Sequence, residues 1–415
     1  MRMASGGTYI AKAAGPLAVA LVLLSGCGGG SKASTAAAPP GPLTVYLSVP
    51  AHGVEASTGA AVAAGARLAL RDAHGRAAGR QISLLQLDDS KLPGPNWDPS
   101  QVEANAKRAA QDPRAIAYIG ELDEGGSAIS VPVTNDAGIL QVSPLDGLTT
   151  LTHNQPGGPD GTGPARYYPS GKRTFLRLVP RDALQARALI DWIRGDGVAR
   201  LAIVQDDRVF GRVLAQQAAV VAAQAHVPIT DIAEPHDDPA TFADFAAKLA
   251  AKHPDVVLYT GLGNPPAGPL LQAIQAALPD ARLYGASALA QSMPAPPGMP
   301  EMQVLSPVFP PSRYGPRARQ VLARLPAGNR GGATGAEALY GYESMRVVLD
   351  AIAAAGPDAG EREPVARAAL TPQKRASVIG PYSVLATGDV SPARFGAYRR
   401  SATGLRYLGE RPPQR

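Results

Sequence analysis

Short uninterrupted apolar runs alternate along this chain with longer stretches in which apolar residues recur every third or fourth position. The runs Leu43–Val49, Gln81–Leu87, Ala115–Ile119, Ile139–Val142, Phe175–Val179, Leu201–Val204 and Val256–Tyr259 have the length of strands. Between them lie Ala60–Ala73, Val102–Gln111, Ala183–Ile193, Val213–Ala225, Phe242–Ala251 and Leu270–Ala277, Ala-rich and helical in spacing. An apolar run without alternation is a strand buried on both faces, and strand then helix, repeated this often, predicts parallel sheets flanked by helices. Crossovers in such units are right-handed, so two doubly wound α/β sheets are the economical arrangement. With 415 residues and 45% hydrophobic content there is chain enough for two substantial lobes. Aromatics make up only 5%, so the cores must be built from Ala, Val and Leu.

Two stretches break the rhythm. Lys91–Pro99 and Asn154–Gly171 are dense in Gly and Pro and are expected on the surface. Trp97 and the pair Tyr167-Tyr168 sit in them, either draped over a cleft or pinning their own loops.

The first residues have a different pattern. Arg2 and Lys12 precede the apolar segment Leu17–Leu24, and Ser25-Gly26 then lead to Cys27, the single cysteine of the chain. This is a secretory signal, too short to span a bilayer. Its ending Leu24-Ser25-Gly26-Cys27 resembles the lipobox of bacterial lipoproteins; the other reading is an ordinary signal peptide with an incidental cysteine. The resemblance implies removal of residues 1–26 and a diacylglycerol thioether on Cys27, and two acyl chains suffice for stable anchoring. Residues 27–42, rich in Gly, Ala and Pro, read as a flexible tether. The expected location is the extracytoplasmic face of the cell membrane, with the protein held there by its lipid.

Charge and residue chemistry remove several function classes. The net charge of +6 is spread thinly, with no Lys/Arg run longer than two, which argues against a nucleic-acid partner. One cysteine excludes an intramolecular disulfide framework and leaves no thiol for catalysis in the folded part. Six scattered histidines show no ligand spacing, so neither a metal nor any other cofactor is expected. Gly261-Leu-Gly263 sits where a dinucleotide loop would, but Pro265-Pro266 lack the N–H donors a pyrophosphate needs. Gly171-Lys172-Arg173 lacks the hydroxyl residue of a phosphate loop, and Gly285-Ala-Ser287 fails the nucleophile-elbow pattern. No catalytic residue is assigned, and the chain is read as a non-enzyme.

A resemblance covers most of the chain beyond the tether. Gly59–Leu70, Leu87-Asp88-Asp89, Tyr118-Ile119-Gly120 and Ala137–Pro144 occur in that order, and then come Phe175-Leu-Arg177 and Ala202–Asp207 with Phe210-Gly211. Pro254–Val257, Gly341-Tyr342-Glu343, Ile379–Tyr382 and Gly388-Asp389-Val390 complete the series. In order and spacing it resembles the branched-chain amino-acid-binding branch of the type I periplasmic binding proteins, the substrate-binding proteins of ABC transporters. The resemblance implies two Rossmann-like lobes joined by three hinge crossings, expected near Val179, Pro307 and Ile379. Lobe 1 is then 43–178 plus 309–377, and lobe 2 is 179–308 plus 379–415. It further implies a monomer that closes on a small polar solute, an amino acid, amide or related compound, and presents it to a membrane permease. A surface sensor using the same closure is the alternative.

The segments that grip an amino acid in the resembling family depart here. After Gly120 stands Glu121-Leu-Asp123-Glu124-Gly-Gly-Ser127, and after Ser143-Pro144 stands Leu145-Asp146-Gly147, where polar uncharged residues would be usual. The expected ligand-binding set is Glu124, Ser127, Asp146, Asp182, Asp206, Phe210, Asn264 and Ser287. Asp123 and Glu124 equally suit a helix start, and Asp146 a turn. Acids at one rim would repel a carboxylate, which favours neutral or cationic solutes.

Overall fold

The computed structural model describes residues 41–91, 97–155, 163–197, 199–263, 266–291, 298–332 and 334–414, without the side chains of Glu124 and Gln291. The signal, the tether and Cys27 lie outside these residues. The first apolar run forms β1 (Leu43–Val49), buried at every position. The chain continues as α1 (Ala56–Asp72), β2 (Arg76–Ala77), β3 (Arg80–Asp88), α2 (Pro99–Gln111), β4 (Ala115–Ile119), α3 (Glu124–Asp136), β5 (Leu140–Ser143) and β6 (Phe175–Arg177). The spatial order is β2-β3-β1-β4-β5-β6, parallel apart from the short β2 hairpin. Strand β1 thus lies between neighbours with helices over both faces, which its continuous apolar sequence requires. Local chemistry sets the helix starts. Asp98 accepts from Ser100 N (2.9 Å) and Gln101 N (3.1 Å), while Pro99 fills a position that needs no donor.

After Arg177 the chain crosses to the second lobe. There it forms α4 (Asp182–Gly195), β7 (Leu201–Val204), α5 (Val209–Gln224), β8 (Ile229–Ala233), α6 (Phe242–Ala250), β9 (Val256–Tyr259), α7 (Ala267–Ala277), β10 (Arg282–Gly285), α8 (Ser287–Gln291) and β11 (Met302–Ser306). It returns through Pro307 to the first lobe and adds α9 (Pro316–Ala323), α10 (Ala338–Ala354), α11 (Arg362–Leu370) and a small antiparallel sheet of β12 (Gln373–Ser377), β13 (Gly380–Val384) and β14 (Val390–Ser391). A third crossing delivers β15 (Gly396–Ser401) and β16 (Gly404–Glu410), which complete the order β16-β15-β11-β10-β9-β7-β8.

The third crossing therefore falls between Ser391 and Gly396, not near Ile379. Val378, Tyr382, Val384 and Val390 are buried in the core of the first lobe, so residues 379–391 belong to it. The strands concerned are short and largely exposed on one face, so they carry no apolar run to mark them.

Helices α1 and α10 are packed backbone to backbone in that core. A side chain on Gly65 would run into the Ala338 carbonyl, and one on Gly341 into the Val62 carbonyl. Three of the six histidines have a structural explanation. His74, His226 and His253 come just after α1, α5 and α6 with φ of 53°, 55° and 50°, the left-handed conformation that ends a helix. Tyr167 and Tyr168 pin their own loop: both are buried, and Tyr168 donates to the Leu151 carbonyl at 2.6 Å under the Arg173 guanidinium.

Gly341→Val should force α1 and α10 apart. The expected loss is about 1–3 kcal/mol, read as a lower urea midpoint at unchanged m-value, and an unchanged midpoint would contradict this packing.

Candidate functional site

In parallel sheets the strand carboxyl ends and the helix N-termini meet along one edge, where ligands lodge. Here that edge of each sheet borders a narrow cleft, half open to solvent, whose cavity volume is about 20 Å3. Glu55, Leu122, Asp123, Leu145 and Gly147 line it from the first lobe; Asp182, Gln185, Phe210, Leu262, Ser287 and Ala288 line it from the second. Val179, Pro180, Pro307 and Phe395, all beside the crossings, form its floor. The lobes stand close together. Asp182 N donates to the Gly147 carbonyl (2.7 Å), Ala183 N to Thr149 Oγ1 (3.0 Å) and Gln155 Nε2 to Gln216 Oε1 (2.6 Å). A side chain on Gly147 would strike the Asp182 carboxyl, so this approach needs a glycine.

Every parallel strand of the first sheet is succeeded by an acid at this edge: Glu55 after β1, Asp89 after β3, Glu121 and Asp123 after β4, Asp146 after β5 and Asp182 after β6. Most are buried. Glu121 Oε1 accepts from Tyr118 OH (2.6 Å), and Asp146 Oδ1 accepts from Leu148 N (2.7 Å). Asp89 takes a long contact from Ser48 Oγ (3.5 Å), itself held by Asn105. No N–H or hydroxyl reaches Glu55 Oε2 or Asp89 Oδ1; the carboxyls pair among themselves instead, Glu55 with Asp123 and Asp89 with Glu121. Burial pushes these carboxyls up. Glu121 reaches about 7, with the Tyr118 hydroxyl opposing the rise. Asp182 also reaches about 7, raised by burial and by Asp146 and restrained by Arg177. Glu55, Asp89, Asp123 and Asp146 are raised too, burial first; acidic neighbours add to the rise of Asp89 and Asp123, while on Glu55 the Asp123 hydrogen bond opposes it and Asp89 adds to it.

One cation lies beneath this wall. Arg177, fully buried, donates from Nη2 to the Leu148 carbonyl (2.8 Å) and Thr152 Oγ1 (3.1 Å), and from Nη1 to the Asp146 carbonyl (3.3 Å). Its Nε stands 3.1 Å from Asp389 Oδ1. Asp389 is also met by Thr152 (3.0 Å), by His153 Nδ1 (3.1 Å) and, at 3.7 Å, by Arg181 beyond the first crossing. Burial alone would raise Asp389, but His153, Arg177 and Thr152 hold it well below the usual carboxylate range.

Of the residues expected from sequence, Asp182, Phe210 and Ser287 line the cleft. Asp146 is buried directly behind Gly147. Ser127 stands behind the wall, fully buried, where its hydroxyl accepts the Glu121 N–H (3.3 Å). Ser143 likewise fixes two loops, donating to the Glu121 carbonyl (2.6 Å) and accepting from Asp146 N (2.9 Å). Asp206 belongs elsewhere: Leu262 N (2.8 Å) and Arg208 N (3.2 Å) turn its carboxylate toward a separate hollow shared with Glu234 and His236. Asn264 lies outside the described residues, and of Glu124 only its place as first residue of α3 is described. Gln185, which the sequence also suggests as a second-lobe contact beside Asp182, lines the cleft, whereas Glu55 and Asp89 were absent from the expected set. An acid directly after an apolar run marks Asp89 in the sequence, whereas Glu55, separated from β1 by a loop, carries no such signal.

The raised carboxyls fix the sign of a pH effect. Their unfolded values lie near 4, so between about pH 4 and 7 the folded chain holds more protons, and stability falls as pH rises. Asp389 acts oppositely: its contribution is in place above about pH 4 and is lost only as the pH drops through its lowered value. The protein without solute should therefore be more stable at pH 5.5 than at pH 8, and Asp182→Asn should remove about 2 kcal/mol of that difference. Thermal unfolding across this range is the check; a slope that Asp182→Asn leaves intact would refute it.

The comparisons with known proteins agree with this geometry. Residues 42–391 match the family model described as periplasmic binding protein. A search of the curated proteins found no sequence match. Among solved structures, a solute-binding protein of an ABC transporter from Rhodopseudomonas palustris in complex with benzoate aligns at a TM-score of 0.72 and 19% identity, over 90% of this chain and 97% of its own. The leucine-binding protein LivK of Thermotoga maritima aligns at 0.73 and 15%, over 89% and 99%. An ABC-transporter substrate-binding protein of Desulfitobacterium hafniense in complex with leucine aligns at 0.69 and 19%, over 88% and 100%. With two doubly wound lobes, three crossings and a match across nearly all of the described residues, the chain belongs to the periplasmic binding protein family, as a binding protein and not an enzyme.

Proposed function

We propose that this protein is the substrate-binding lipoprotein of an ABC importer, tied to the outer face of the cell membrane through Cys27 and closing its lobes on one small polar solute. The observation that carries this reading is a narrow cleft walled by both lobes and floored by the crossings, lined by acceptors and the rings of Phe210 and Phe395. Three crossings permit hinge closure, and a solute that binds only the closed form drives it. The relatives with leucine and benzoate bound are solute-binding proteins of such transporters. A permease that recognises the closed form completes the importer, and nothing in the reading requires a second copy of the chain.

A solute panel read by small-angle scattering and thermal unfolding tests the binding half. The true solute at a hundred times its dissociation constant should add about 2.7 kcal/mol of stability and shrink the radius of gyration, while a panel without effect would sink the reading. The anchor has its own test. Cys27→Ala should abolish incorporation of labelled palmitate and leave the precursor uncleaved in cells, whereas lipid labelling that survives the substitution would place the attachment elsewhere.

A further inference from the structure

We propose that the cleft takes a compact organic cation, an ammonium, amidinium or guanidinium group seated against Glu55, Asp123 and Asp182, and turns away solutes that present a carboxylate. This rests on the reading that the lobes close on a solute, and names its chemical class.

The argument begins with unmatched acceptors. Glu55 faces the cleft, is 8% exposed, and no N–H or hydroxyl reaches its Oε2; its side chain meets the Asp123 carboxyl, a contact that needs a proton between the two acids. An ionised carboxylate only accepts, so the missing partner is a donor. Asp123 and Asp182 stand in the same lining, and no Lys or Arg appears among its described residues. Behind them Asp89 and Glu121 hydrogen-bond each other and Asp146 lies against Ser127 and Leu148 N, a second layer of carboxyls held close together. Buried charge of one sign without a counter-charge is costly, and the partner that relieves it must bring positive charge into the cleft.

A carboxylate has no corresponding seat. Arg177 is the nearest buried cation, and its charge is already matched: Nη1 donates to the Asp146 carbonyl, Nη2 to Leu148 and Thr152, and Nε, which makes no hydrogen bond, forms an ion pair with Asp389 at 3.1 Å. Of the hydroxyls behind the first-lobe wall, Ser127 accepts the Glu121 N–H and donates to the Asp146 carboxyl, and Ser143 donates to the Glu121 carbonyl and accepts from Asp146 N. The second lobe suits a cation as well. Gln185 donates to Asp182 Oδ1 (3.0 Å) and accepts Ser287 N (2.7 Å), which fixes the acid's orientation. The Phe210 ring and Leu262 supply an aromatic face and apolar cover.

Protons stand in for the donor while the cleft is empty, so a cation should displace them. The groups that share this exchange are Glu55, Asp89, Glu121, Asp123, Asp146 and Asp182, with Tyr118 against Glu121 and Arg177 beneath Asp146 and Asp182. Titration calorimetry of the purified protein with agmatine, putrescine and tetramethylammonium, beside leucine, benzoate and acetamide, tests the proposal. At least one cationic probe should bind, with a heat that changes between buffers of different ionisation enthalpy because protons are released. Binding should weaken at least about tenfold in Glu55→Gln and in Asp182→Asn, each verified as folded by its thermal transition. The two variants are independent, so either one folding suffices. Binding of leucine, benzoate or acetamide alone would overturn the cation assignment and leave solute capture standing. Cation binding untouched in both variants would overturn the assigned seat. Silence from every probe, with no change in radius of gyration, would overturn this proposal together with the binding reading.

Discussion

The cleft depends on one buried charge pair. Arg177 ends the last strand of the first sheet, Asp389 lies just before the third crossing, and their side chains meet at 3.1 Å. The backbone takes the same path, since Arg177 N donates to the Gly388 carbonyl at 3.0 Å. A side chain on Gly388 would run into the Phe175 carbonyl, so the two segments can come together only at a glycine. Removing either partner would strand a charge in the interior, a loss of about 3–5 kcal/mol. Because Arg177 also holds the carbonyls of Asp146 and Leu148, this pair fixes the loop after β5, and with it Gly147 and the approach of Asp182.

Around that anchor the first lobe carries a burden its core does not need. Its hydrophobic cluster runs continuously through β1, α1, α10 and the return helices, and the buried acid Glu343 at its border is paired with Arg375 and Tyr382. The carboxyls of the cleft wall sit at the strand ends, where burial and mutual repulsion raise them. Functional sites commonly hold groups that are unfavourable until a ligand arrives. Here the unfavourable term is electrostatic, and it is concentrated on the wall where a ligand would be received.

The two walls differ in kind. The first lobe presents acids on loops that Ser127 and Ser143 brace, while the second contributes Gln185, Phe210, Leu262 and Ser287 around the single acid Asp182. The lobes share an architecture because each is a doubly wound parallel sheet, but what they offer a ligand is set by the residues after each strand.

Much of the fold was legible because parallel strands buried on both faces must be continuously apolar. The runs at Leu43–Val49, Ala115–Ile119, Leu201–Val204 and Val256–Tyr259 become strands with those same ends. The edge strand β8 and the hairpins from β12 onward were not legible, because half-exposed pairings leave no such run. That is why the third crossing lay beyond the reach of pattern. At the site, the sequence by itself determined that acids come after the strands, including Asp146 and Asp182. Only the tertiary structure decided which of them face the cleft, since that depends on where backbone donors fall. Leu262 and Arg208 turn Asp206 away, and Ser127 is engaged between the Glu121 amide and the Asp146 carboxyl. Glu55, distant in sequence from every other acid of the wall, joins them because the parallel sheet sets the strand ends side by side.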